Sequence, residues 1–203
     1  AIGTNRFVTC VGEAGLVHLS YFSYTGSLSI TTDTLGETTY KETEPEYEKV
    51  TDTTLAVMSL DYSHREETDG NGESYVITLE DGRYIIIDGG YLQDAEGLYQ
   101  FLVDNNKRSD GKVVIAAWFL SHSHGDHYGC FGQFTSAYGS EVTLEYIVSA
   151  PGVSGMYSNG YDDYLEVNLA RIAEETYQCQ LIRPHTGQTL TFCNTQFQML
   201  YTP

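Results

Sequence analysis

The sequence predicts a mixed α/β layered domain, on three observations. Strand-like and helix-like segments take turns along the chain, the continuous apolar run Val113–Leu120 reads as a strand buried on both sheet faces, and Asp81-Gly82 between two apolar segments marks a hairpin. The 203 residues suit one medium domain, or a domain with a small appendage, and suffice to bury a core.

From Ala1 to about Lys49 the pattern is β-like: Leu16, Val17, Leu19, Tyr21 and Phe22 precede Thr25-Gly26, and Leu28 and Ile30 alternate after it, as in a hairpin. The acidic stretch Lys41–Glu48 carries Pro45 and has no apolar period, so it reads as an exposed linker or edge. Thr54–Leu60 is a strand candidate, followed by a polar loop from Asp61 to Glu73. Ser74–Leu79 and Arg83–Ile87 flank Asp81-Gly82, which predicts a two-residue type I′ turn, and Asp88-Gly89-Gly90 ends the second strand. A helix is predicted from about Asp94 to Asn105, with Asp94 as its cap and Leu98, Phe101 and Leu102 on one side. After the Val113–Leu120 strand come a strand over Val142–Val148 and a helix from about Asp162 to Tyr177 with Leu165, Leu169, Ile172 and Ala173 on one face. Strands at about Gln180–Arg183, Thr189–Phe192 and Gln196–Tyr201 complete the pattern. The expected division is a β-rich segment of open role over 1–53 and the layered domain over 54–203.

Ten Lys and Arg against 28 Asp and Glu give a formal charge of −18, which repels nucleic acid and anionic lipid surfaces and favours cations. Bulk nucleic-acid binding and membrane association are therefore not expected, and runs such as Tyr84–Ile87 and Ala116–Leu120 are far too short to span a bilayer. The chain opens on Ala1, so the compartment stays open between cytoplasm and secretion, with the cytoplasm the working expectation. Cys10, Cys130, Cys179 and Cys193 lack the density of a disulfide scaffold and read as small apolar residues, Cys130 included, although it follows the histidine loop closely.

That loop is His122-Ser123-His124-Gly125-Asp126-His127. Imidazole and carboxylate donors at this density suit Zn²⁺, with Mn²⁺ and Fe²⁺ also feasible. Histidines that merely capped backbone groups around a turn would repel one another when protonated and cost desolvation when buried, and a metal relieves both. In a helix His122 and His124 would point to different sides, so the motif is expected in a loop at the carboxyl end of Val113–Leu120, with Gly125 giving backbone freedom. His18, His64 and His185 read as structural or solvent-facing.

At these residues the chain resembles the metallo-β-lactamase superfamily, whose H-x-H-x-D-H signature stands here as His122, His124, Asp126 and His127. Ile87-Asp88-Gly89-Gly90 is a second match, and the wording of Ser74–Gly90 and of the loop is most similar to competence-protein-type members. The resemblance covers about Leu55 to Pro203 and implies a β-sandwich flanked by helices; the first fifty residues fall outside it.

The resemblance implies that His122 and His124 hold one metal, that Asp126 and His127 hold a second, and that Asp126 also orients the attacking water. Asp88 would orient the ligand histidines from behind, and its competing reading is a plain strand-end turn residue. The implied activity is hydrolysis by a metal-bound hydroxide, with a phosphodiester or other small anionic or ester substrate favoured; the alternative is a non-catalytic domain of this fold acting in binding or assembly. In the family a third histidine follows a strand ending in Thr-Pro, and Thr202-Pro203 stands at that place. The expectation is thus an incomplete domain, metal-free or singly occupied, whose uncovered sheet edge invites homodimerisation.

Overall fold

The computed structural model describes residues 10–11, 17–18, 47–60, 72–122, 124–149 and 168–200. The hairpin about Thr25-Gly26, His64, the polar loop before Gly72, residues 162–167 of the expected second helix and Thr202-Pro203 lie outside them. The chain forms two compact units, Ala1–Glu42 and Thr43–Pro203. In the first, β1 (Cys10–Val11) pairs antiparallel with β2 (Val17–His18).

The second unit is built on one mixed sheet. β3 (Thr54–Val57), β4 (Ser74–Thr78) and β5 (Tyr84–Asp88) run antiparallel; β5 then pairs in parallel with β6 (Val113–Leu120). Beyond β6, its first half pairs in parallel with β7 (Val142–Leu144) and its second half with β8 (Tyr146–Ser149), which in turn pairs with β9 (Gln180–Ile182). The expected single strand Val142–Val148 is thus broken at Glu145. That residue gives its N–H to the Ile115 carbonyl and its carboxylate to Arg83 Nη1 at 2.6 Å, so the chain steps sideways there.

Three corrections concern turns and caps. The β4–β5 connection is not type I′: Gly82 N–H reaches the Leu79 carbonyl at 2.9 Å, Leu79 N–H reaches the Arg83 carbonyl at 2.8 Å, and of the turn residues only Gly82 has a positive φ, +79°. This is a three-residue turn with a glycine bulge, which Asp-Gly also suits. Asp94 occupies the N-cap position of α1 (Ala95–Asp104) but makes no side-chain cap bond to it; its carboxylate instead accepts the Tyr91 N–H at 2.8 Å and closes the 3-10 turn Leu92–Asp94 ahead of the helix. The segment after residue 168 ends as a π-helical turn, Ile172–Tyr177, because Gln178 takes a left-handed φ of 53° and donates to Ala173 five residues back.

Each sheet face carries its own core. α1, α2 (Gly125–Tyr138) and the Ile172–Tyr177 turn cover one face, where Trp118 meets Phe131 and Phe134 edge-on at 5.0 and 5.1 Å between ring centroids. On the other face the separate hairpin of β10 (Thr189–Phe192) and β11 (Thr195–Gln198) lays Phe192 and Phe197 against Phe119. Alternation sorts the residues: Val76 of β4 joins the helix-side core, whereas Ile77 packs with the hairpin side. Leu55 and Val57 of the edge strand β3 are 64 % and 71 % exposed.

Candidate metal centre

The centre is assembled where β5 and β6 end side by side. Ile87 lies opposite Phe119 in the parallel ladder, so Asp88 and the residues after Leu120 leave the sheet together. Asp88 is 2 % exposed and bends the chain with a φ of +54°, a left-handed value that aspartate tolerates better than most side chains. This bend sends its carbonyl to the Trp118 Nε1–H at 2.7 Å and leaves its carboxylate facing the histidine segment. Gly90 follows with φ +87°, and a Cβ on Gly89 would stand 2.9 Å from that of Cys130. The Asp-Gly-Gly run is thereby explained: one left-handed polar residue, one glycine where α2 packs against the strand end, and one left-handed glycine.

The Asp88 carboxylate has three partners. It accepts the Ser121 N–H at 2.8 Å, the Ser121 hydroxyl at 2.7 Å and the His127 Nδ1–H at 2.8 Å. Since a carboxylate only accepts, His127 carries its proton on Nδ1 and turns the Nε2 lone pair outward. With its own proton committed to Asp88, the Ser121 oxygen accepts the His122 Nδ1–H at 2.9 Å, which frees the Nε2 of His122 likewise. Sequence reasoning named Asp88 but missed Ser121, whose place directly after a buried strand and before the first histidine was the available signal.

His122 and His124 lie in the segment after β6, as expected. Asp126 and His127 do not: they form the first turn of α2, which begins at Gly125 with His124 as the residue before it. The helix supplies the convergence that a loop was expected to give, because the His127 N–H reaches back to the His124 carbonyl at 3.0 Å and carries its ring toward His122. The His122 ring centroid stands 4.5 Å from that of His124 and 4.1 Å from that of His127, and Asp126 Oδ2 is 3.7 Å from His127 Nε2. Burial, then the neighbouring His127 and His124, hold His122 below the ordinary histidine range against the opposing pull of Asp88 and Asp126, which favours the neutral ring that ligates metal.

The donor chemistry fits a divalent cation of the zinc type: imidazoles, two of them held by a buried carboxylate, His127 directly and His122 through Ser121, and a further carboxylate beside them. Their positions are not yet those of a closed coordination shell. Among the described residues no group of three or more His, Cys, Asp or Glu side chains is arranged to hold a metal ion, and the His122 and His124 rings meet edge-on at 69°. Cys130 is fully buried and burial pushes its thiol far above the usual range, in keeping with a packing role. His185 is exposed, its Nδ1 against the Thr186 carbonyl at 3.0 Å.

One further contact joins the centre to β4. A Cβ placed on Gly72 would collide with the Asp126 carbonyl oxygen, so the chain entering β4 runs directly against the first turn of α2.

The family model of the metallo-beta-lactamase superfamily matches residues 68–152, a stretch that runs from before β4 to just past β8 and contains every group of the centre. A search of curated proteins found no match. The strand-end carboxylate and the histidine cluster it orients thus lie within the stretch of the chain that is similar to the metallo-beta-lactamase superfamily.

Proposed function

We propose that this centre serves a metal-dependent hydrolase acting on a phosphodiester or other small ester. The observation that carries the reading is Asp88: a buried carboxylate that bonds His127 Nδ1 directly and reaches His122 Nδ1 through Ser121. Such fixing is what ligand histidines require and what solvent-facing histidines do not. His122, His124, Asp126 and His127 would hold zinc, with manganese or iron as substitutes. Bound there, the metal would lower the pKa of a water and polarise the ester oxygen. Asp126, 3.7 Å from His127 Nε2, would ligate the metal and orient that water. The net charge of −18 disfavours long polyanions and leaves small anionic esters as the fitting substrate class.

A second reading, a domain of this fold kept for binding or assembly, draws on the edge strand β3 with its exposed Leu55 and Val57, a surface on which two copies could pair. The two are separated by titrating the chain with Co²⁺ and Zn²⁺ beside an assay with bis-p-nitrophenyl phosphate. The hydrolase reading expects one weakly held ion per chain, lost in His122→Ala, and metal-dependent turnover lost in Asp126→Asn. Turnover that survives both substitutions, or no binding of either ion at millimolar concentration, overturns it.

A further inference from the structure

A cavity of about 620 Å³ opens between the β3–β4 edge and α1, and it shares no lining residue with the histidine cluster. One wall is a stripe of α1 and the turn before it, in which Asp94, Gly97, Phe101 and Asp104 recur at helical spacing; Met58 and Ser74 stand in the wall across from it.

One feature of these walls is costly unless something fills the space, and a second leaves the wall bare. Ser74 is 2 % exposed, and among the described residues its hydroxyl has no hydrogen-bond partner. On β4 it shares a face with Val76, which packs in the helix-side core, so its side chain points into the layer that holds the cavity. A buried hydroxyl left unpaired costs about 1–3 kcal/mol. Gly97 sits inside α1, where glycine is about 1 kcal/mol poorer than alanine. Among the described residues no neighbour demands it, since a Cβ there would meet nothing within 4 Å. Exposed on α1, it lines the cavity without a side chain.

The lining also has a sign. Asp94 and Asp104 contribute carboxylates, and among the described lining residues there is no Lys, Arg or His to offset them, while Phe101 and Met58 are apolar. We propose that this cavity binds a small organic ammonium ion, a primary amine on a short apolar body. Its charge is held by Asp94, its N–H is shared with the Ser74 hydroxyl, and its body lies against Phe101 and Met58. Ser74 lies opposite Asp88 in the β4–β5 ladder and Gly89 lines the cavity, so an occupant touches the strand end that organises the histidine cluster from behind.

The test is calorimetric titration of the full chain with phenethylammonium, set against phenylacetate, which reverses the charge, and phenethyl alcohol, which removes it. The expected result is saturable binding of one ammonium per chain, at least about tenfold tighter than the alcohol, and none of phenylacetate. Gly97→Leu should fill the cavity and abolish this binding while far-UV circular dichroism and melting temperature stay at or above those of the parent; Ser74→Ala should weaken it about fivefold. Equal binding of all three probes, undiminished binding to folded Gly97→Leu, or no saturable uptake of the ammonium would overturn the proposal, the last leaving water as the partner of Ser74.

Discussion

Replacing Asp88 with alanine removes the acceptor for three hydrogen bonds at once, and the structure fixes how much each is worth. The His127 bond is the dearest, because the ring is only 14 % exposed and its Nδ1–H would lose a charged partner with little water to replace it, about 2 kcal/mol. Ser121 is exposed, so water recovers most of its two bonds and their loss is put at about 1 kcal/mol together. Alanine must also take the φ of +54° that aspartate accepts, at about 1 kcal/mol more. The total is about 4 kcal/mol, which for a unit of this size lowers the melting temperature by roughly 8–16 °C. Glycine removes the same carboxylate without the backbone penalty and should recover about 1 kcal/mol, and asparagine, which keeps one acceptor and suits the left-handed bend, should cost about 2 kcal/mol. Scanning calorimetry on the three variants tests the order Asn, Gly, Ala from mildest to worst. An alanine variant that melts within about 2 °C of the parent would refute the argument, since the carboxylate would then be a turn residue with incidental neighbours.

Gly72→Ala should destabilise by about 2–3 kcal/mol and disturb metal uptake, because the obstructing atom is the Asp126 backbone oxygen, which cannot rotate away; chemical denaturation and a Co²⁺ spectrum check the two halves. Burial raises Tyr84 and Tyr177 to about 12 from an ordinary 10.0, so the folded chain holds these protons longer than the unfolded one. Their stabilising effect is complete below pH 10 and is lost as pH rises toward 12. Tyr84→Phe, which also gives up the bond to the Leu102 carbonyl at 3.0 Å and so about 1 kcal/mol, should show a shallower alkaline decline in melting temperature across that window; an unchanged slope would show that Tyr84 ionises freely.

Much of this arrangement was legible in the residues. Val113–Leu120 matches β6 end for end, because a run apolar at every position fits only a strand covered on both faces. Asp88 was reached through the resemblance carried by Ile87-Asp88-Gly89-Gly90, with which the need of a ligand histidine's second nitrogen for an acceptor agrees. The helix that carries Asp126 and His127 was not found. Gly125, Gly129 and Gly132 lower its intrinsic propensity and its apolar stripe is short, so what holds it is tertiary: Phe131 and Phe134 closing on Trp118. The break at Glu145 was equally hidden, since its cause is Arg83, far away in the chain. Nor could a pattern of residue types show that Asp88 is left-handed, because aspartate occupies ordinary and left-handed backbone alike.

Trp118 is the only tryptophan in the chain, fully buried, and its indole N–H is tied to the carbonyl of Asp88. The residue that orders the histidines on its side-chain end therefore grips the molecule's single strong fluorophore on its main-chain end. Whatever shifts Asp88 must alter the hydrogen bond of the excited indole, so ultraviolet emission from the native chain is a built-in optical readout of the centre, with no dye attached and no second tryptophan to subtract.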